Sequence, residues 1–310
     1  MTAFPVRIGA DEIATETQKC DGFTFFCLPE RYVADFARDV QSILKDAGLA
    51  SFHGKEFRPK QEGAYKAFLS LAFDYMRKLP QSFATCRLFS PTVKAELLAF
   101  CDRNVDGAVG QSLGQGHPAV TILQPYFLPL ACLAALSREL APEVLMRVEM
   151  DSHTSLKDLN QSVHQVIGIQ IDAATILKGL YNGYAKSLGP RTPLLPDDGV
   201  TVLDDEASVM VQAADVIGNF AVAHMFVRLG KATSGRVAKA RLLESVTGDE
   251  INAFDPAGKL ALAGEDLVLM HEGAITFRVA WEITKGPADP GLMKNWPKDD
   301  GFIGKGRVQP

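Results

Sequence analysis

Val209-Met-Val-Gln-Ala-Ala-Asp-Val-Ile-Gly-Asn-Phe-Ala-Val-Ala-His-Met-Phe-Val227 is the stretch on which the reading of this chain turns. Its apolar residues run nearly all the way round a helical wheel, which predicts a helix buried on every side. Asp215 sits in the middle of it. A charge in such surroundings is costly unless it is paired or binds a metal. Gln212 stands three positions before Asp215 and Asn219 four after it, so all three share one face. A polar stripe crosses a buried helix, and something polar must meet it. The plainest partner is an arginine in a buried ion pair.

Two further acids stand at the ends of short β-branched runs that predict strands. Asp11, followed by Glu12, closes Phe4-Pro-Val-Arg-Ile-Gly-Ala10, and Asp151 closes Val144-Leu-Met-Arg-Val-Glu-Met150. Acids at two strand ends and on a packed helix can converge although they lie far apart in the chain. Converging carboxylates repel one another, and a divalent cation relieves that repulsion. The pattern points to a metal site. Taken singly, Asp11 reads equally well as a turn acid and Asp151 as a turn or helix cap.

His53-Gly54-Lys55-Glu56 is a second cluster. On a helical turn His53 and Glu56 point the same way, and together they can bind a metal or pass a proton. Alone, the segment reads as a surface loop. The run from Arg228 to Arg241 carries five basic residues and no acid. It is either a solvated face or a source of phosphate contacts. No Walker-type loop, no Gly-x-Ser-x-Gly elbow and no Cys-x-x-Cys pair occurs, which argues against a P-loop nucleotidase, an α/β-hydrolase and a zinc ribbon.

A chain of 310 residues, 47% hydrophobic and 22% charged, has ample material for a core. The net charge of −5 does not advertise nucleic-acid binding, although an acidic metal site would account for part of it. The odd count of five scattered cysteines fits a reducing compartment. Neither a signal peptide nor a membrane span is predicted, so the cytoplasm is the expected location.

Along the chain, strands are expected over 4–12 and 22–28, joined as a hairpin by a polar link at 13–21. A helix is expected over 30–47 ending at Gly48, and another over 63–78. A strand over 82–89 precedes a Ser90-Pro91-capped helix to about 103. A Gly-rich loop at 104–118 leads to a helix over 124–140 and the Asp151 strand. Helix is expected over 156–186, a link over 187–199, and a strand over 200–203 that feeds the Asp215 helix. Gly264 and Gly273 divide 259–283 into three short β-like pieces, and 286–310 reads as a tail. The organisation expected is a core domain over 1–230, a small β-rich extension over 231–285 and a flexible tail over 286–310. The fold class is α/β, a mixed sheet flanked by helices.

These motifs together resemble a bacterial and phage family with a ribonuclease H-like fold. Its pattern is Asp-Glu-Ser-Gly after a first strand, a His-x-x-Glu segment, an Asp at a central strand end and a late Gln-x-Ala-Asp helix. Asp11-Glu12, His53-Gly54-Lys55-Glu56, Asp151 and Gln212-Ala213-Ala214-Asp215 are similar to those elements over roughly residues 5–230. Ile13 and Ala14 stand where the family has Ser and Gly. The resemblance implies a nuclease-like site in which Asp11, Asp151 and Asp215, with Glu56, hold one or two Mg²⁺ or Mn²⁺ ions. Glu12, His53 and Glu56 would be ligands or proton carriers. Such metals activate water and stabilise the leaving oxygen of a phosphodiester.

Three functions follow from this reading. The first is a metal-dependent nuclease or phosphodiesterase with DNA or RNA as partner. The second is a non-catalytic binding or assembly module, for instance in phage defence or a mobile element. The third is a hydrolase of small phosphate esters.

Overall fold

The computed structural model describes residues 4–15, 18–79, 81–89, 105, 118–137, 144–151, 173–228, 230–248, 258–261 and 268–278. Strands β1 (Phe4–Thr15) and β2 (Gln18–Pro29) form an antiparallel hairpin that pairs Ile8 with Cys27 and Asp11 with Thr24. The strands run further into the polar link than its composition implied. Main-chain pairing continues to Thr15↔Gln18, past an irregularity between Ile13 and Thr15.

Strand β3 (Phe83–Phe89) adds antiparallel to β2. Strand β4 (Val144–Asp151) lies parallel to β1, and β5 (Val200–Leu203) parallel to β4. These five strands make a mixed sheet flanked by helices. Strand β7 (Val268–Arg278) continues it antiparallel to β3, and β6 (Gly258–Ala261) pairs with β7, giving the order β5-β4-β1-β2-β3-β7-β6. Strand β7 runs through Gly273, where a break was expected, and the glycine marks instead a shift of register, between the Leu88↔Gly273 and Phe89↔His271 pairs. Gly264, the expected helix at 90–103, most of the 104–118 loop, residues 156–172 and the 286–310 tail lie outside the described residues.

The helices are α1 (Val33–Ala47), α2 (Glu62–Lys78), α3 (Pro118–Ser137), α4 (Ala173–Leu188), α5 (Val209–Arg228) and α6 (Ser234–Thr247). Helix α1 ends where expected. Gly48 adopts φ 64°, and its N–H reaches the carbonyls of Leu44 and Lys45, a left-handed cap that glycine makes without steric cost.

Strand alternation sorts the core into two layers. Phe4, Val6, Ile8 and Ala10 of β1, with Val144, Met146, Val148 and Met150 of β4, face α3 and α4. The opposite face of the sheet, with Phe26, Leu28, Ala84 and Cys86, packs against α1, α2, α5 and α6. Helix α5 is the central element of that layer. It is the one described helix long and apolar enough to cross a membrane, and 78% of its most apolar window is buried inside the protein. It is therefore the core helix that its all-round apolar sequence predicts.

Helix α5 lies unusually close to the sheet. A Cβ at Gly9 of β1 would stand 2.0 Å from the Met210 carbonyl oxygen, and one at Gly218 of α5 would stand 2.2 Å from Thr24 Oγ1. The start of the helix is pinned as well. Ser208 Oγ accepts from the N–H groups of Met210 (3.2 Å) and Val211 (3.1 Å) and donates to Glu149 of β4. Glu149 in turn accepts from Arg7 of β1 at 2.5 Å, and Arg7 also pairs with Glu30. Beyond α5, helix α6 docks through buried Leu242 and Leu243 and through His224, whose Nδ1 lies 3.1 Å from Glu244 Oε1.

The Gly9 contact is backbone against backbone, so a side chain there must displace α5. Gly9→Ala is expected to destabilise the protein by about 3 kcal/mol, the upper end of ordinary overpacking, lowering Tm by roughly 5–10 °C. Gly179→Ala, inside α4 with nothing within 4 Å of the added Cβ, is expected to raise stability by about 0.5 kcal/mol through helix propensity. Thermal melts of the two variants check both.

Candidate functional site

The same alternation that buries Ile8 and Ala10 on one face turns Gly9 and Asp11 toward α5. In β4 it turns Glu149 and Asp151 the same way. The parallel register pairs Gly9 with Glu149 and Ala10 with Met150, so Asp11, inside β1 rather than at the strand end its sequence suggested, comes next beside Asp151, the last residue of β4. Adjacent strands lie about 4.8 Å apart. Two carboxylates that are 140 residues apart in the chain are brought together by a ladder.

Asp215 arrives from above. Its Oδ2 accepts from the Gly54 N–H at 2.7 Å and its Oδ1 from Asn219 Nδ2 at 2.6 Å. Gln212, one turn earlier, accepts from the Phe52 N–H at 3.1 Å and reaches the Glu206 carbonyl at 3.4 Å. The polar stripe predicted on α5 is thus met by the main chain of residues 52–54. Gly54 is required by this approach, since a Cβ there would stand 2.5 Å from the Asn219 Cβ. His53 is extended and precedes a single 3-10 turn, Gly54–Glu56. Its Nε2 lies 2.8 Å from Ser51 Oγ, and its carbonyl accepts from the Tyr65 hydroxyl at 2.7 Å.

All six residues singled out from the sequence, Asp11, Glu12, His53, Glu56, Asp151 and Asp215, line one cavity of about 180 Å³, together with Lys55 and Val211. Asp11 stands at its centre electrically. Its carboxyl is held well above the usual carboxylate range, first by burial and then by Asp215 and Asp151, with Glu12 adding to the rise and Lys55 opposing it. Burial also raises the Tyr65 phenol.

The donor set is all oxygen apart from His53, the chemistry that suits a hard divalent cation. Among the described residues, no group of three or more His, Cys, Asp or Glu side chains is arranged to hold an ion. The acids share a cavity without closing round a point.

Three features went beyond the sequence reading. Lys55 faces the acids. The Ser208–Glu149–Arg7 chain fixes α5 to the two acid-bearing strands, and Glu149 was findable because it is two residues from Asp151 on the same strand face. A larger groove of about 680 Å³ adjoins the cavity and shares Asp11, Glu12 and Lys55 with it. Its far wall is α6, where the basic run begins. Arg236 and Lys239 line it, with Phe57 and Phe226.

The raised Asp11 carboxyl has a consequence for stability. The folded protein keeps a proton there that the unfolded chain has already lost, so folding weakens as pH rises from about 4 toward the folded-state value. Asp11→Asn is expected to be more stable than the parent at pH 7.5 in metal-free buffer, with the gap closing as pH falls toward about 4. Melts across pH check this, and a gap that does not change with pH would contradict the raised carboxyl.

Comparison with protein-family models, with curated proteins and with solved structures finds no match to this chain.

Proposed function

We propose that this protein is a metal-dependent hydrolase of phosphodiester bonds, a nuclease or phosphodiesterase, on a ribonuclease H-like α/β core in the cytoplasm. One observation carries the reading: acids from the first strand, a central strand and a late helix meet in one cavity, where they raise the Asp11 carboxyl. Such mutual repulsion does nothing to hold the fold together. A divalent cation relieves it, because cations lower the proton affinity of the carboxylates they touch.

Asp11, Asp151 and Asp215 would hold Mg²⁺ or Mn²⁺, with Glu56 as a further oxygen donor. When bound, such ions supply an activated water and stabilise the leaving oxygen. The chain's own groups do the remaining work. The Gly54 N–H and Asn219 amide fix the Asp215 carboxylate, leaving it no freedom to swing away from the strands. Held beside the cavity by Ser51, the His53 ring is placed to take or give a proton. Glu12 and Glu56 line the same wall and are placed to do the same. Exposed Lys55, at the mouth shared with the groove, meets an incoming phosphate with opposite charge.

A second reading is a binding or assembly module that keeps the fold without catalysis. It is favoured by the finding that no described group of acids and histidines is arranged to hold an ion. Metal binding separates the two. On the hydrolase reading, Mn²⁺ raises the Tm of the parent, since a ligand at 100 times its Kd adds about 2.7 kcal/mol. The rise is lost in Asp11→Asn. Cleavage of phosphodiesters in Mn²⁺ falls to background in Asp11→Asn and Asp215→Asn. Asp11→Asn is the cleaner variant, because an amide at 215 cannot accept from both of its present donors and is expected to cost about 1–2 kcal/mol. An unmoved Tm and no cleavage would establish the module instead.

A further inference from the structure

We propose that the 680 Å³ groove between the 55–59 segment, α5 and α6 binds single-stranded nucleic acid, with its phosphates on Lys55, Arg236 and Lys239. The inference rests on the hydrolase reading of the adjoining cavity and names its substrate class.

Charge is distributed along the groove in order. Asp11, Glu12 and Lys55 stand at the end shared with the acid cavity, and Arg236 and Lys239 stand beyond it on α6. A small phosphate ester would occupy the acid end alone and leave the cations without a function. A polymer puts one phosphate at the acids and its neighbours at the cations.

The cations are held in place rather than free in solvent. Arg236 lies over the Phe226 ring at 4.4 Å and donates to the Lys231 carbonyl at 2.8 Å. Lys239 lies 5.8 Å from the Phe220 ring centre. It is half-buried, and burial lowers its proton affinity although Asp215 opposes the fall. A phosphate at that position would favour its charged form. The first turn of the fourteen-residue α6 contributes Ser234 and Gly235 to the same wall, so its N-terminal dipole adds to the side-chain charge.

Shape and lining favour one strand over two. Cavities of roughly 300–1,000 Å³ enclose single ligands of nucleotide size, whereas a duplex needs an open face. Phe57 and Phe226 line the groove; Arg236 covers one face of Phe226, so an unpaired base would stack on the Phe57 ring or on the Arg236 guanidinium plane, contacts that need no particular sequence. A paired base keeps its faces inside the stack.

The test measures binding without turnover. Fluorescein-labelled twelve-nucleotide single-stranded DNA and RNA, and the corresponding duplexes, are titrated by anisotropy with the full chain in EDTA at several salt concentrations. The parent is expected to bind single strands more tightly than duplex. Arg236→Gln/Lys239→Gln is expected to weaken binding about tenfold and to flatten the slope of log affinity on log salt by about 0.7 for each phosphate no longer neutralised. Lys55→Gln, on an exposed turn, supplies a second variant should the double one melt early, and it is expected to weaken binding too. Lys45→Gln on α1 should bind as the parent does.

Equal binding by parent and groove variants, tighter binding of duplex, or no binding of any strand would overturn the assignment. Cleavage that persists while binding ignores the groove variants sinks the groove and leaves the hydrolase. Binding that depends on the groove, in a protein that cleaves nothing and takes no metal, keeps the groove and sinks the hydrolase.

Discussion

The contact between helix α5 and the sheet governs the rest of this structure. Two glycines remove the side chains that would hold helix and strands apart, and Ser208 ties the first turn to Glu149. The helix can therefore carry an acid to Asp11 and Asp151 with little freedom in depth or rotation. That closeness explains the oddity of a charge in a core helix. Asp215 is half-buried among apolar neighbours, yet it reaches two donors and shares a cavity with Asp11 of β1 and Asp151 of β4. The desolvation it suffers is offset by hydrogen bonds to the charged form.

Much of this was legible in the sequence, for identifiable reasons. An apolar helix with one polar stripe can only be central, and the stripe implies a polar partner. The partners foreseen were a metal ion or, in the plain structural case, an arginine. The donors found are the Gly54 N–H and an amide one turn along, and main-chain donors leave no mark in a sequence. Period-two patterns in 4–10 and 144–150 determine which side chains share a face. That is why acids flanking those runs could be expected to meet before any register was known. His53 and Glu56 were grouped by spacing, and both line the cavity although only one of them lies within the 3-10 turn.

The misses have physical causes as well. Polarity at 13–21 suggested a loop, but a long hairpin pairs main-chain groups whatever the side chains. Gly273 suggested a break between strands, but it sits at a shift of register inside one strand, the other common use of a glycine in a sheet. The basic run at 228–241 directly follows the Asp215 helix and left two readings open, a solvated face or a source of phosphate contacts. Helix α6 folds back over α5, and so the basic residues come to border the acidic ones.

Among the described residues, the sheet ends on strands of four residues at both margins, β5 on one side and β6 on the other. An edge strand is an unfinished ladder, open to any chain that offers matching main-chain groups. Four residues present too few such groups to nucleate a stable intermolecular pair. The longest strands, β1 and β2, are shielded in the interior with partners on either side. Their apolar runs, residues 4–10 and 23–28, are thereby kept from serving as templates for aggregation once the chain has folded.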